Sequence, residues 1–189
     1  MPEAHILSQY HSRTDVLKMI ANENGIGVEL GVAEGHFSRM ILKEFEETDF
    51  YLYSIDMWAG DRGHDIEQYK TAIVNLEPWK RSNTILKMTF DEALPLFPDD
   101  YFDFIYVDGY AHTGEGGGKY FRDWWPKLRV GGVFAGDDYH QDWPLVIKEV
   151  NRFAIDVDHD IFVIPNRIEG DPWSQYPSWV IQKGLSPSK

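Results

Sequence analysis

Two rhythms of apolar residues alternate along this chain. Short apolar runs of strand type give way to stretches in which apolar residues return every three or four positions. Val28-Glu29-Leu30-Gly31 ends a first buried strand, and Phe37, Ile41 and Phe45 then recur at helical spacing. Tyr51 to Asp56 is the next strand, and Ile66, Tyr69, Ile73 and Leu76 fit one face of a helix. Thr84 to Met88 is a third strand, followed by a short helical piece around Glu92 to Leu96. Phe102 to Asp108 is a fourth, and a helix carrying Tyr120, Trp124 and Leu128 follows it. Gly132 to Gly136 is a fifth, with Val146, Val150 and Phe153 marking the helix after it. Ile161 to Ile164 and Trp179 to Gln182 are two closing strands with no good helix between them. Ahead of all these, Ser12 to Ala21 reads as a helix, with Ser12 and Asp15 at capping-box spacing.

Strands alternating with helices predict right-handed βαβ units and a largely parallel sheet. The fold expected is a single α/β domain, a Rossmann-like doubly wound sheet with an antiparallel C-terminal hairpin at one edge. Its expected organisation is an N-terminal helical segment over 1–24, the main domain over 25–183 and a frayed tail over 184–189. In such a sheet ligands bind beyond the carboxyl ends of the strands. That directs attention to Gly31, Asp56, Met88, Asp108 and Asp137.

Composition narrows the function classes. The 189 residues suffice for one domain with a real core, and 43% of them are hydrophobic. A formal net charge of −13 argues against a nucleic-acid backbone or an anionic membrane as partner. There is no cysteine, which excludes disulfides, zinc-thiolate sites and thiol nucleophiles. Met1 to Tyr10 hold no long apolar run, so a cytoplasmic protein with neither signal peptide nor membrane span is expected.

Gly31 and Gly35 lie between a strand and a helix, where glycine admits close backbone approach and positive φ. The spacing is G-x-x-x-G, and Ala33 stands where a dinucleotide fingerprint has its second glycine. A pyrophosphate needs that close approach; a nucleoside without phosphates does not. Alone, the motif is equally a tight strand-to-helix turn. Asp56, which ends the next strand, favours a nucleoside, because a carboxylate there can accept hydrogen bonds from both ribose hydroxyls. The alternative is an aspartate that caps a neighbouring segment.

Asp108 follows the fourth strand, and Asp137 and Asp138 follow the fifth. If those strands are neighbours, their ends lie about 5 Å apart. Carboxylates so close repel one another and call for a cation or raised pKa values. Oxygen-only ligands suit Mg²⁺, Mn²⁺ or Ca²⁺. Asp137 and Asp138 could share an ion only if the chain has already left the strand, and Gly136 makes such a bend plausible. The alternative has one aspartate facing a cofactor, another capping the next helix, and no metal.

With Glu29-Leu30-Gly31-Val32-Ala33-Glu34-Gly35, Asp56 and Asp108, the chain resembles the class I methyltransferases that use S-adenosylmethionine, over roughly Gly25 to Lys183. The resemblance implies that Glu29 and Gly31 lie near the methionine end of that cofactor and that Asp56 holds its ribose. Met57 and Trp58 would border the adenosine, and Met88 and Thr89 the adenine. Val32, Gly35, Phe37, Ser38 and Asp108 complete the expected cofactor set. Val107-Asp108-Gly109 and the run from Trp124 to Tyr139 are similar to the metal-dependent O-methyltransferases that modify sugars on macrolides and aminocoumarins. In that family the aspartates matching Asp108, Asp137 and Asp138 hold a divalent ion, which binds two neighbouring substrate oxygens. The chain departs from the family at Tyr110, where many relatives are acidic, and in its glycine-rich stretch 113–118.

The implied reaction is transfer of a methyl group to a hydroxyl of a small molecule, such as a sugar or diol. His140 and His112 each follow a candidate aspartate and are the first choices for a base, with Asp137 beside them. Each histidine is equally an ordinary loop residue. Trp143, Trp173 and Tyr176 sit on late loops that could shape the acceptor pocket. The acceptor would be recognised by the N-terminal helix, by those loops or by a second subunit of a homo-oligomer. Three other readings stay open: a metal-independent methyltransferase, a nicotinamide-dependent oxidoreductase and a non-catalytic nucleoside-binding module.

Overall fold

Parallel strands covered on both faces must be apolar almost throughout, and the runs read from the sequence assemble in that way. The computed structural model describes residues 4–60, 65–108, 116–165 and 175–184. Its strands are β1 (Ala4–Ile6), β2 (Ile26–Leu30), β3 (Tyr51–Asp56), β4 (Asn83–Lys87), β5 (Phe102–Val107), β6 (Leu128–Gly136), β7 (Ile161–Ile164) and β8 (Ser178–Gln182). The helices are α1 (His36–Glu44), α2 (Ile66–Leu76), α3 (Phe90–Ala93), α4 (Lys119–Trp124) and α5 (Pro144–Val157).

One eight-stranded sheet has the order β1-β7-β8-β6-β5-β2-β3-β4. β8 runs antiparallel to β6 and β7, and every other pairing is parallel. The expected hairpin is therefore present as β7 and β8. One strand was not anticipated: β1 pairs with β7 and takes the outermost place. The chain winds outward through β2, β3 and β4, then returns with β5 on the other side of β2. That reversal opens a crevice at the carboxyl ends of β2 and β5, the usual ligand position in such sheets.

Successive strand residues face opposite sides of the sheet. Val28, Leu30, Ile105 and Val107 pack with Phe121, Trp124, Val146, Val150 and Phe153 from α4 and α5. Phe104, Tyr106, Val133 and Ala135 pack with Phe37, Ile41 and Leu42 from α1 and with Val16, Leu17 and Ile20. These last three come from the predicted N-terminal helix, which is a 3-10 helix over Arg13–Met19 with the expected Ser12–Asp15 capping box. The segment before Gly25 is thus built into the sheet and its core.

Some expectations need correction. On α2 the expected inward residues Ile66 and Ile73 are 48% and 41% exposed, while Ala72 and Leu76 are buried. Leu128, expected on a helix, opens β6 instead. Among the described residues no helix is long and apolar enough to cross a membrane.

Candidate active site

The turn after β2 is fixed from the neighbouring strand. Gly31, Ala33 and Gly35 have φ of 99°, 48° and 79°. Such values suit glycine and are strained for Ala33. The strain at Ala33 is offset by Asp56, whose Oδ2 accepts the backbone N–H groups of Val32 at 2.9 Å and Ala33 at 3.0 Å. Oδ1 of Asp56 accepts the N–H of Trp58 at 3.3 Å, and the Trp58 indole donates to the Ala33 carbonyl at 2.8 Å. Asp56 therefore caps a neighbouring segment, the glycine turn itself, in addition to any part it takes in holding a ligand. A Cβ on Gly35 would meet the Leu76 side chain at 3.2 Å and the Ala72 backbone at 3.6 Å. Close packing of α1 on α2 adds to the demand for glycine there.

Beneath the turn runs a chain of buried polar groups. Ser38 Oγ donates to Glu29 Oε2 and lies 2.9 Å from Ser54 Oγ. Asn83 Nδ2 donates to Ser54 Oγ at 2.8 Å and to the Leu52 carbonyl at 3.0 Å. Burial pushes the Glu29 carboxyl up to about 8, against the opposing pull of Ser38 and the charge of Arg13. Glu29 is then mostly neutral near pH 7, which is how a buried carboxyl avoids the desolvation of its charge. Ser54 and Asn83 belong to no motif in the sequence; Ser54 shares its strand with Asp56, and Asn83 with Thr84 and Lys87, so nothing set them apart.

Asp108 and Asp137 come together as expected, because β5 and β6 are neighbours. The group between them was not anticipated. Arg13 Nη2 donates to Asp108 Oδ2 at 2.7 Å, and Nη1 lies 3.5 Å from Asp137 Oδ2. Its guanidinium sits over the Phe37 ring at 4.1 Å and 5.3 Å from the Tyr106 ring centre. Phe37, expected to touch cofactor, is thus a platform for Arg13, and Ser38 is fully buried against Glu29. Asp137 also accepts a hydrogen bond from Ser178 Oγ at 3.2 Å. Burial pushes the Asp137 carboxyl up to about 7; Arg13 opposes this, while Asp108 and Asp138 add to it.

Asp138 has a φ of 62°, so the chain has left the strand there. Gly136 serves a different need from the expected bend: a Cβ on it would lie 2.7 Å from both the Trp179 ring and the Val107 carbonyl. Among the described residues no three or more His, Asp or Glu side chains gather as a metal site. With Arg13 bound across two of the three expected ligands, the residues as placed do not fit a divalent ion.

His140 lies beyond Asp138. Its Nδ1 lies 3.3 Å from the backbone nitrogen of Asp142 and 3.4 Å from Asp142 Oδ2. Its ring faces Tyr176 at 5.0 Å, and Tyr176 meets Trp143 at 6.3 Å, edge to face. Tyr139 turns away to Asn151, to which its hydroxyl donates at 2.8 Å. Met88 N–H donates to the Asp56 carbonyl at 3.0 Å, which brings Met57, Met88 and Thr89 to adjoining strand ends. His112, Tyr110 and Trp173 lie outside the described residues.

A family model described as a methyltransferase domain matches residues 28–139, more than half of the chain. The chain belongs to that methyltransferase family. This methyltransferase shares its fold with a protein from Corynebacterium glutamicum at 13% identity and a TM-score of 0.67, covering 93% of this chain and 82% of that one. A SAM-dependent O-methyltransferase from Thermotoga maritima matches at 16% identity and a TM-score of 0.66, covering 93% of this chain and 66% of that one. An O-methyltransferase from Bacillus cereus in complex with SAH matches at 12% identity and a TM-score of 0.63, covering 90% and 80%. Likeness at such identity is one of fold. No curated protein matches the chain. The expected methyltransferase class is met by the family match, and the expected Rossmann-like sheet by the fold.

Proposed function

We propose that this methyltransferase moves the methyl group of S-adenosylmethionine to a hydroxyl oxygen of a small molecule. The observation that carries the reading is the pairing of the Asp56-braced glycine turn with Asp108 and Asp137 across the crevice between β2 and β5. The Asp108 N–H donates to the Leu30 carbonyl at 2.8 Å, so the two halves share one backbone contact. The printed names of the Thermotoga and Bacillus proteins, both O-methyltransferases, favour oxygen as the acceptor atom.

In this reading the nucleoside lies against the glycine turn and against Met57, Met88 and Thr89. The acceptor oxygen attacks the methyl carbon, the carbon–sulfur bond breaks, and the sulfonium becomes a neutral thioether. Alignment supplies much of the rate, because the sulfonium is already reactive. The acceptor proton goes to Asp137, whose carboxyl titrates at about 7, close to the ideal for a base at neutral pH. His140, two residues beyond Asp138, orients the acceptor by hydrogen bonding. Trp143 and Tyr176 line the outer wall. A sugar or diol acceptor held by a divalent ion was the finer expectation. The bridging of Asp108 and Asp137 by Arg13 speaks against the ion.

The test is release of S-adenosylhomocysteine with a panel of phenols, sugars and amines, preceded by calorimetric titration of the free protein with that product. Turnover with hydroxyl acceptors supports the proposal. No binding of the product, or turnover with amines alone, sinks it.

A further inference from the structure

We propose that Arg13 is a built-in cation: its guanidinium takes the place at the strand ends that a divalent ion would otherwise hold, and this methyltransferase needs no metal there. The inference rests on reading Asp108 and Asp137 as the acceptor end of the site.

The geometry is that of a bridge. One guanidinium nitrogen is 2.7 Å from Asp108 and the other 3.5 Å from Asp137. A planar group with separate N–H donors can serve two carboxylates at once, which the point charge of a lysine does less well. An ion bound to the same oxygens at roughly 2.0–2.6 Å would lie against a full positive charge. The two cations exclude each other.

Arg13 is also held in place. Its side chain is 6% exposed. The rings of Phe37 and Tyr106, 4.3 Å apart, lie against its guanidinium and attract it. Its backbone opens the 3-10 helix behind the Ser12–Asp15 capping box, and Val16 and Leu17, 0% and 2% exposed, anchor that helix in the core. A surface arginine swinging over a metal site would have none of this support. The 3-10 helix packs on α1, β7 and β8, so the cation is delivered by the body of the fold.

Manganese titration followed by electron paramagnetic resonance tests this on the full chain. The wild type and Arg13→Lys, which keeps the positive charge, are expected to bind Mn²⁺ no better than Asp137→Asn does. Arg13→Met removes the charge and is expected to gain Mn²⁺ affinity by about tenfold or more. Adding Asp137→Asn to it should abolish the gain. Arg13→Gln replaces Arg13→Met if that variant does not fold. A merely structural arginine would not create a metal site on removal, so a folded Arg13→Met or Arg13→Gln protein without the gain overturns the proposal. A wild type that binds Mn²⁺ tightly and loses it in Asp137→Asn overturns it as well. Calorimetry with S-adenosylhomocysteine runs in parallel under chelator. A wild type that excludes Mn²⁺ and fails to bind that product sinks the functional reading and leaves the cation assignment standing.

Discussion

The Trp58 indole donates to the Ala33 carbonyl at 2.8 Å, so a residue two positions beyond β3 grips the turn that follows β2. Trp58→Phe keeps an aromatic ring against Tyr69 but deletes the donor together with part of a buried ring system. It is expected to lower stability by about 1–3 kcal/mol, the usual effect of orphaning a buried acceptor. S-adenosylhomocysteine affinity should fall with it. Melting curves and calorimetry read both, and an unchanged affinity would show that the turn keeps its shape without the indole.

Asp56 tests the same brace from the other side. Asp56→Ala strands the N–H groups of Val32 and Ala33, each worth about 1–3 kcal/mol when buried without a partner. Asp56→Asn retains one acceptor oxygen and should lose less. The expected order of product affinity is wild type, then Asn, then Ala. An Ala variant that binds as well as Asn would limit Asp56 to a solvent-replaceable role.

Stability should fall as pH rises from about 5 to about 8.5. Glu29 and Asp137 titrate at about 8 and about 7 in the folded chain, raised in both cases chiefly by burial. Both carboxyls therefore take up protons on folding. The stability they contribute is full below their unfolded values and is lost as pH climbs through the folded ones. Glu29→Gln, neutral at every pH and of similar shape, should flatten the upper part of that decline. Melting temperature against pH is the measurement, and a Gln variant with the wild-type slope above pH 7 would count against a protonated Glu29.

Two glycines in β6 separate strain from crowding. A Cβ on Gly136 meets the Trp179 ring and the Val107 carbonyl at 2.7 Å, neither of which can yield easily. Gly131 has a φ of 85° but open space around it. Gly136→Ala should cost about 3 kcal/mol or more and displace Asp137, whereas Gly131→Ala should cost about 1–2 kcal/mol with the site unaffected. Equal losses would mean that the β6–β8 contact adjusts freely.

The sheet was legible because buried parallel strands leave mostly apolar runs, and the strand ends pointed to the candidate site. The rest depended on contacts that sequence does not order. Arg13 lies 95 residues from Asp108 and carries no motif, so its place between the aspartates emerges only once β5, β6 and the 3-10 helix are assembled. On α2, apolar spacing pointed to Ile66, Tyr69, Ile73 and Leu76, yet of these only Leu76 is buried, and it is joined by Ala72, which lies beside it under Gly35. β1 is exposed at every residue and joins the sheet through its backbone, so its side chains announce nothing.

The bond from Arg13 to Asp108 and its approach to Asp137 also carry a message about timing. During synthesis Arg13 leaves the ribosome more than a hundred residues ahead of β6, and β7, the partner of β1, follows later still. Until β6 is made the guanidinium can meet Asp108 but has no second carboxylate to bridge. The bridge thus closes only after β6 has been made, and a chain lacking β6 cannot display it.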